Sequence, residues 1–196
     1  MKKIINHKSL FIILFLFAFL ERTVFDLGPN IELLTSVMVL SAFAFGGKMT
    51  FWLTLAVIAF SDLIIGNSKI FLFTWSGFLI PSLVLPKLFR YLKFGIRNSR
   101  WKVILLSGTG VVSNLFFYAY TNFGVWLLDT WGMYTKDLAG LFRCYINGLP
   151  FLKNQVISSL IFIPLGYFAV SYSQRLLEKI NFSKNFKFAS KIPTKS

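Results

Sequence analysis

The sequence predicts an all-α membrane protein, a bundle of six transmembrane helices with both termini in the cytoplasm. Three observations carry that prediction. The 196-residue chain is 56% hydrophobic with a mean hydropathy of +0.67, too apolar for a soluble domain. Its charged residues are only 14% of the chain and fall in clumps between apolar runs. Runs such as Leu10–Leu20 and Trp52–Phe60 do not alternate in polarity, as barrel strands of about ten residues would. Helices are then left to satisfy the backbone within lipid.

The elements follow in order. Lys2, Lys3 and Lys8 precede the apolar run Leu10–Leu20. These resemble the basic and apolar regions of a signal peptide, but Glu21-Arg22-Thr23 follows where a small-residue cleavage site belongs, so the run reads as a retained first helix. Gly28-Pro29-Asn30 is a turn and helix-start signal. A second helix is expected from Ile31 to Phe45, opening with Glu32 and ending at Gly46-Gly47-Lys48. The third covers Met49–Ile65. The fourth covers Ile70–Phe89, bent at Pro81 and Pro86.

The basic loop Lys87–Lys102 leads to a fifth helix, Val103–Tyr120. The stretch Thr121–Asn154 is too long for a turn and too aromatic for disorder, so it reads as a cap over a small-molecule site at one face. The sixth helix is expected at Asn154–Ser173, with Pro164 and Gly166 inside it. Residues 1–174 thus form one six-helix domain, and 175–196 a frayed basic cytoplasmic tail.

Lysine and arginine positions set the orientation. With six spans, sixteen of the 21 fall on the side of the termini, Lys48 and the Lys87–Lys102 loop, and five on the other. The positive-inside rule makes the richer side cytoplasmic. The net charge of +14 is thereby assigned to orientation and anionic lipid, not to nucleic acid. Cys144, the only cysteine, admits no intramolecular disulfide and reads as a small apolar residue.

This orientation gathers polar chemistry on the outer face. Glu21, Asp26, Glu32, Asp62, Asp129 and Asp137 fall there, with Asn30, Asn122, Asn147 and Asn154 and with Trp75, Trp126, Trp131 and Tyr134. The aromatics have a bland alternative as an interfacial belt, and Asn30 and Glu32 as helix-start residues. Asp62, nearly a turn inside helix three, is functional or ion-paired, with Arg22 and Arg143 as candidate partners. Ser107, Gly110, Asn114 and Thr121 make a small and polar stripe on helix five that serves packing or lines a ligand; Asn114 needs a hydrogen-bond partner.

Catalysis finds little footing. His7, the only histidine, lies in the N-terminal tail, so the bundle holds no serine–histidine or cysteine–histidine pair and no histidine-based metal site. There is no paired-aspartate magnesium motif and no phosphate-cradling glycine loop with its lysine. A non-enzymatic role without a cofactor is expected.

Several motifs carry a resemblance. They are Pro29-Asn30-Ile31-Glu32-Leu33-Leu34-Thr35, Ser61-Asp62-Leu63-Ile64-Ile65-Gly66, Phe73-Thr74-Trp75-Ser76-Gly77, Thr121-Asn122-Phe123-Gly124-Val125-Trp126-Leu127, Leu138-Ala139-Gly140-Leu141 with Cys144-Tyr145, and Gly148-Leu149-Pro150-Phe151 with Asn154. Over about Pro29–Phe162 the chain resembles small bacterial membrane proteins described as transport proteins, similar to the substrate-binding S components of energy-coupling-factor (ECF) vitamin transporters. That resemblance implies a multi-pass protein of the bacterial cytoplasmic membrane that binds a vitamin-like compound from outside. It also implies a transmembrane coupling subunit and paired ATPases as partners. The first helix departs from the pattern: it lacks the alanine-x-x-x-alanine face of many S components, which points to a dedicated or different partner.

The expected site follows. Trp75, Trp126 and Tyr134 supply flat contact, and Asn30, Asn114, Asn122, Asn147 and Asn154 hydrogen bonds. Glu32 and Asp62 orient the ligand or brace the loops, and Gly124, Gly132, Gly140 and Gly148 let the cap close. A stand-alone secondary transporter or channel, and a membrane scaffold for another protein, are the alternatives.

Overall fold

The protein is all-helical in a computed structural model that describes residues 7–25, 27–28, 31–66, 69–92 and 98–189, with side chains within 8–173. Six α-helices follow one another: α1 (His7–Leu20), continued by a π-helical turn Glu21–Phe25, α2 (Leu34–Ala44), α3 (Gly47–Ile65), α4 (Phe71–Leu92), α5 (Ser99–Leu128) and α6 (Leu138–Ala189). No strand occurs among the described residues. Of these, α3, α4, α5 and α6 are long and apolar enough to cross a membrane.

The short α2 is the centre of the bundle. Every residue from Leu34 to Ala42 is buried, and the helix packs against all five others. It carries no charge, as a helix surrounded on all sides requires. Its Val37 joins the cluster of Leu10, Leu14, Ala18, Leu53 and Val57. Its Met38, Val39 and Ala42 join Leu85, Phe89, Leu106 and Ile163. The helix starts three residues later than expected, because Ile31–Leu33 stay unwound, and at about 16 Å it falls short of the roughly 30 Å hydrocarbon core. Gly46 ends it with φ of +86°, a backbone conformation that favours glycine, and lets α3 fold straight back.

The prolines do not break α4. The helix runs unbroken through buried Pro81 and Pro86, and Ser82 Oγ donates to the carbonyl of Leu79 at 2.7 Å between them.

The largest departure from expectation is in the Thr121–Asn154 stretch, which is mostly helix. Thr121 Oγ1 donates to the Phe117 carbonyl and Asn122 Nδ2 to the Tyr118 carbonyl. Both polar side chains therefore bond back onto their own preceding turn, so the helix absorbs them and continues to Leu128. Its start is also earlier than Val103, because Asn98 Oδ1 accepts from Arg100 N at 2.8 Å and caps α5 at Ser99. At the far side, Asp137 Oδ1 accepts from Gly140 N at 2.7 Å and caps α6. Only residues 129–137 remain as the connection, with Asp129 and Gly132 at positive φ.

Helix α6 is correspondingly long, 52 residues, and its backbone stays helical through most of the tail expected to fray. No glycine or proline occurs between Gly166 and Pro193, so nothing in that stretch stops a helix. Helices α5 and α6 form the most extensive pairing in the bundle.

Candidate functional site

The polar residues gather at the end of the bundle where α1 and α3 stop and α2 and α4 begin. Arg22, in the π-helical turn, is the hub. Its Nη2 bonds Asp62 Oδ1 at 3.0 Å, its Nε donates to Ser61 Oγ at 2.9 Å, and its Nη1 lies 3.9 Å from Glu32 Oε2. Trp75, near the start of α4, donates from Nε1 to Asp62 Oδ2 at 2.7 Å. Both Asp62 oxygens are thus bound, one by a cation and one by an indole. Glu21 is buried, and its Oε2 accepts from Leu33 N at 3.0 Å, holding the unwound entrance to α2. Ser158 of α6 donates to the Glu32 carbonyl at 2.8 Å. One arginine thereby ties α1, α2, α3 and, through Asp62, α4 together. Of the two partners read from sequence for Asp62, the structure selects Arg22.

A second constellation surrounds a cleft of about 430 Å³ between α4, α5 and α6, within the usual size range for small-molecule pockets. Asn122, Tyr134 and Asn147 line it together, with Thr74, Tyr118 and Gln155 as further polar residues and Phe117, Val125, Met133 and Phe151 as apolar ones. Asn147 Nδ2 donates to Tyr134 Oη at 3.3 Å, and Tyr118 Oη donates to the Tyr145 carbonyl at 2.6 Å. Cys144, buried as its apolar character implies, faces the cleft and donates weakly to the Asn122 carbonyl at 3.3 Å. None of the lining residues carries a formal charge at neutral pH.

The remaining expected residues lie elsewhere. Glu32, Asp62 and Trp75 belong to the Arg22 network and do not line the cleft. Asn114 is buried between α5 and α6, where its Nδ2 donates to the Gln155 carbonyl and to Ser159 Oγ, both at 2.8 Å. Trp126 lies outside the lining too. Its Nε1 donates to the Thr135 carbonyl at 3.0 Å, and Lys136 reaches back to the Trp126 and Leu127 carbonyls, capping the end of α5. Asn154 sits in α6 away from the cleft lining, and Asn30 lies outside the described residues.

The glycines also divide. Gly124 lies against the Phe73 ring, Gly140 against the Thr135 carbonyl and Gly148 against the Asn122 side chain, so these three let backbones approach. Gly132 alone of the four lies in the connection and at positive φ.

Sequence reasoning missed Tyr118, Gln155 and Phe117 as cleft residues. Phe117 and Tyr118 stand one turn before Thr121 and Asn122, and Gln155 follows Asn154, so helical register would have found them once α5 and α6 were extended.

Fold and site together define an all-helical protein of membrane type, with a buried ionic hub and a neighbouring uncharged cleft. By match over residues 2–180, the chain belongs to the family described as "Family of unknown function (DUF6580)". No curated protein and no solved structure matches it. The likeness to ECF substrate-binding components thus rests on the motifs alone.

Proposed function

We propose that the protein is a substrate-binding membrane subunit that captures a small, uncharged, vitamin-like or heterocyclic nutrient without catalysing a reaction. The observation that carries this reading is the α4–α5–α6 cleft, which brings Asn122, Tyr134 and Asn147 to one space among apolar walls. Amides and a phenol supply directional hydrogen bonds, while Phe117 and Phe151 supply flat contact. An uncharged ligand suits a lining without a formal charge, because a buried unpaired charge is costly. In this reading α1 with its π-helical turn and α2 with its unwound entrance complete six spans in a bacterial cytoplasmic membrane, with both termini inside. The cleft opens toward the outer face, and a separate transmembrane and ATPase module drives uptake.

The test is mass spectrometry of small molecules released when gently purified protein is denatured. A near-stoichiometric heterocyclic compound is expected. Its affinity should fall roughly tenfold in Asn122→Ala and in Asn147→Ala, the loss of one well-placed hydrogen bond each. Unchanged affinity in both variants would remove the cleft from consideration.

A second reading, a stand-alone secondary transporter, is favoured by the Arg22 hub, since intramembrane ionisable groups often mark ion pathways. Uptake by the reconstituted chain alone under an ion gradient would establish it.

A further inference from the structure

At the opposite end of the bundle from Arg22, α4 and α5 line a second cleft of about 330 Å³. Its walls are Leu85, Leu88 and Leu92 of α4 and Leu105, Gly108 and Val112 of α5. Thr109 also lines it but spends its hydroxyl on the Leu106 carbonyl at 2.8 Å, so no hydrogen-bond donor is left for the cleft there. Gly108 makes the space: a Cβ placed on it meets no atom within 4 Å. On each helix the lining spans eight residues, about 10 Å along the axis from first to last.

The mouth is of opposite character. On α5, Trp101 precedes Leu105 by four residues and Gly108 by seven, so it heads the same helical stripe, and it is exposed. Lys102 precedes Leu105 by three and Thr109 by seven, on the flank of that stripe. Lys102 forms no ion pair among the described residues. The sequence contains no aspartate or glutamate between Asp62 and Asp129, so neither α4 nor α5 supplies a neutralising partner. Lys87, Arg90 and Arg100 add positive charge at the same end.

We infer that this cleft holds one acyl chain of an anionic glycerophospholipid, with the lipid phosphate against Lys102 and the indole of Trp101 at headgroup depth. An apolar cleft flanked by a lysine suits a lipid carrying one negative charge at the end of its chains, and interfacial tryptophan marks that depth. The assignment needs the chain to be membrane-embedded and is independent of what the α4–α5–α6 cleft binds.

The experiment is native mass spectrometry of the full chain in detergent, titrated with phosphatidylglycerol or phosphatidylcholine. The first phosphatidylglycerol should bind about fivefold more tightly than the first phosphatidylcholine. Lys102→Gln should reduce that preference, the remainder resting on Lys87, Arg90 and Arg100, and Gly108→Leu, which fills the cleft, should weaken both lipids. Lys48→Gln, at the same end of the bundle but on α3 and outside the cleft lining, should change neither. Equal binding of the two lipids by the unaltered protein, or an undiminished preference in Lys102→Gln, overturns the proposal. So does a dimer that Gly108→Leu dissolves while lipid binding persists, because the cleft would then belong to a second copy. Should Gly108→Leu fail to fold, the Lys102→Gln comparison decides alone.

Discussion

Asp62 and Arg22 show how one ion pair can organise several helices. Their side chains are 8% and 14% exposed, so the pair is largely withdrawn from water. Breaking such a pair from one side leaves an uncompensated buried charge, which costs about 3–5 kcal/mol. Arg22→Met should therefore lower the detergent melting temperature sharply, and Arg22→Met with Asp62→Leu should recover much of the loss, since removing both charges is often neutral. Equal melting temperatures for the single and double variants would show that the pair is not coupled. Asp137 behaves differently because it is exposed. The Gly140 N–H, then the Thr135 hydroxyl, hold its carboxyl below its ordinary value of 3.8. A carboxylate with a depressed folded-state pKa stabilises the fold above the unfolded value, and that contribution is lost as pH falls through the lower folded value. Amide exchange at the start of α6 should accordingly quicken only below about pH 4, and Asp137→Asn should remove that pH-dependent step.

Among the elements, α5 and α6 are where sequence and structure part. The apolar runs of α3 and α4 were legible because they are bounded by glycine or basic turns. The ends of α5 and α6 were not, because Thr121, Asn122 and Gly124 look like loop chemistry. In the fold the first two bond back to their own helix, and Gly124 fits against Phe73. Asp62 with Arg22 could be foreseen, since a carboxylate inside an apolar helix demands a cation. The separation of Trp126 and Trp75 from Asn122 could not, because it depends on which way each helix turns in the bundle. Packing glycines give a direct test. Gly124→Ala drives a methyl group into the Phe73 ring and should cost about 1–3 kcal/mol. Gly140→Ala meets the Thr135 backbone carbonyl, which has less freedom to yield, and should cost at least as much. Gly47→Ala, open on its free side, should leave the melting temperature nearly unchanged.

For the whole molecule, the alternation of helix directions places the Arg22 hub and the 129–137 connection at one end, and the Lys102 cleft at the other. The proposed orientation assigns the first end to the outside. With Cys144 replaced by alanine, a membrane-impermeant thiol reagent should label Trp131→Cys in intact cells, and Ser196→Cys only after permeabilisation. The reverse pattern would invert the topology and place the α4–α5–α6 cleft on the inside. The hub and the cleft share α4, which supplies Trp75 to one and Thr74 to the other. A ligand that shifts the start of α4 is therefore felt by the salt bridge, and stabilisation by ligand should be smaller in Asp62→Asn than in the unaltered protein.

The length of α6 has a mechanical consequence. Its 52 residues reach about 78 Å, more than twice the hydrocarbon thickness, and its first turns form a wall of the α4–α5–α6 cleft. From Pro164 to Ala189 the helix runs a further 38 Å or so. A deflection of about 10° at that proline would swing the far end sideways by roughly 7 Å, with the arm length set by the helical rise. One continuous helix thus joins the α4–α5–α6 cleft at one face of the bundle to an arm that runs well past the other.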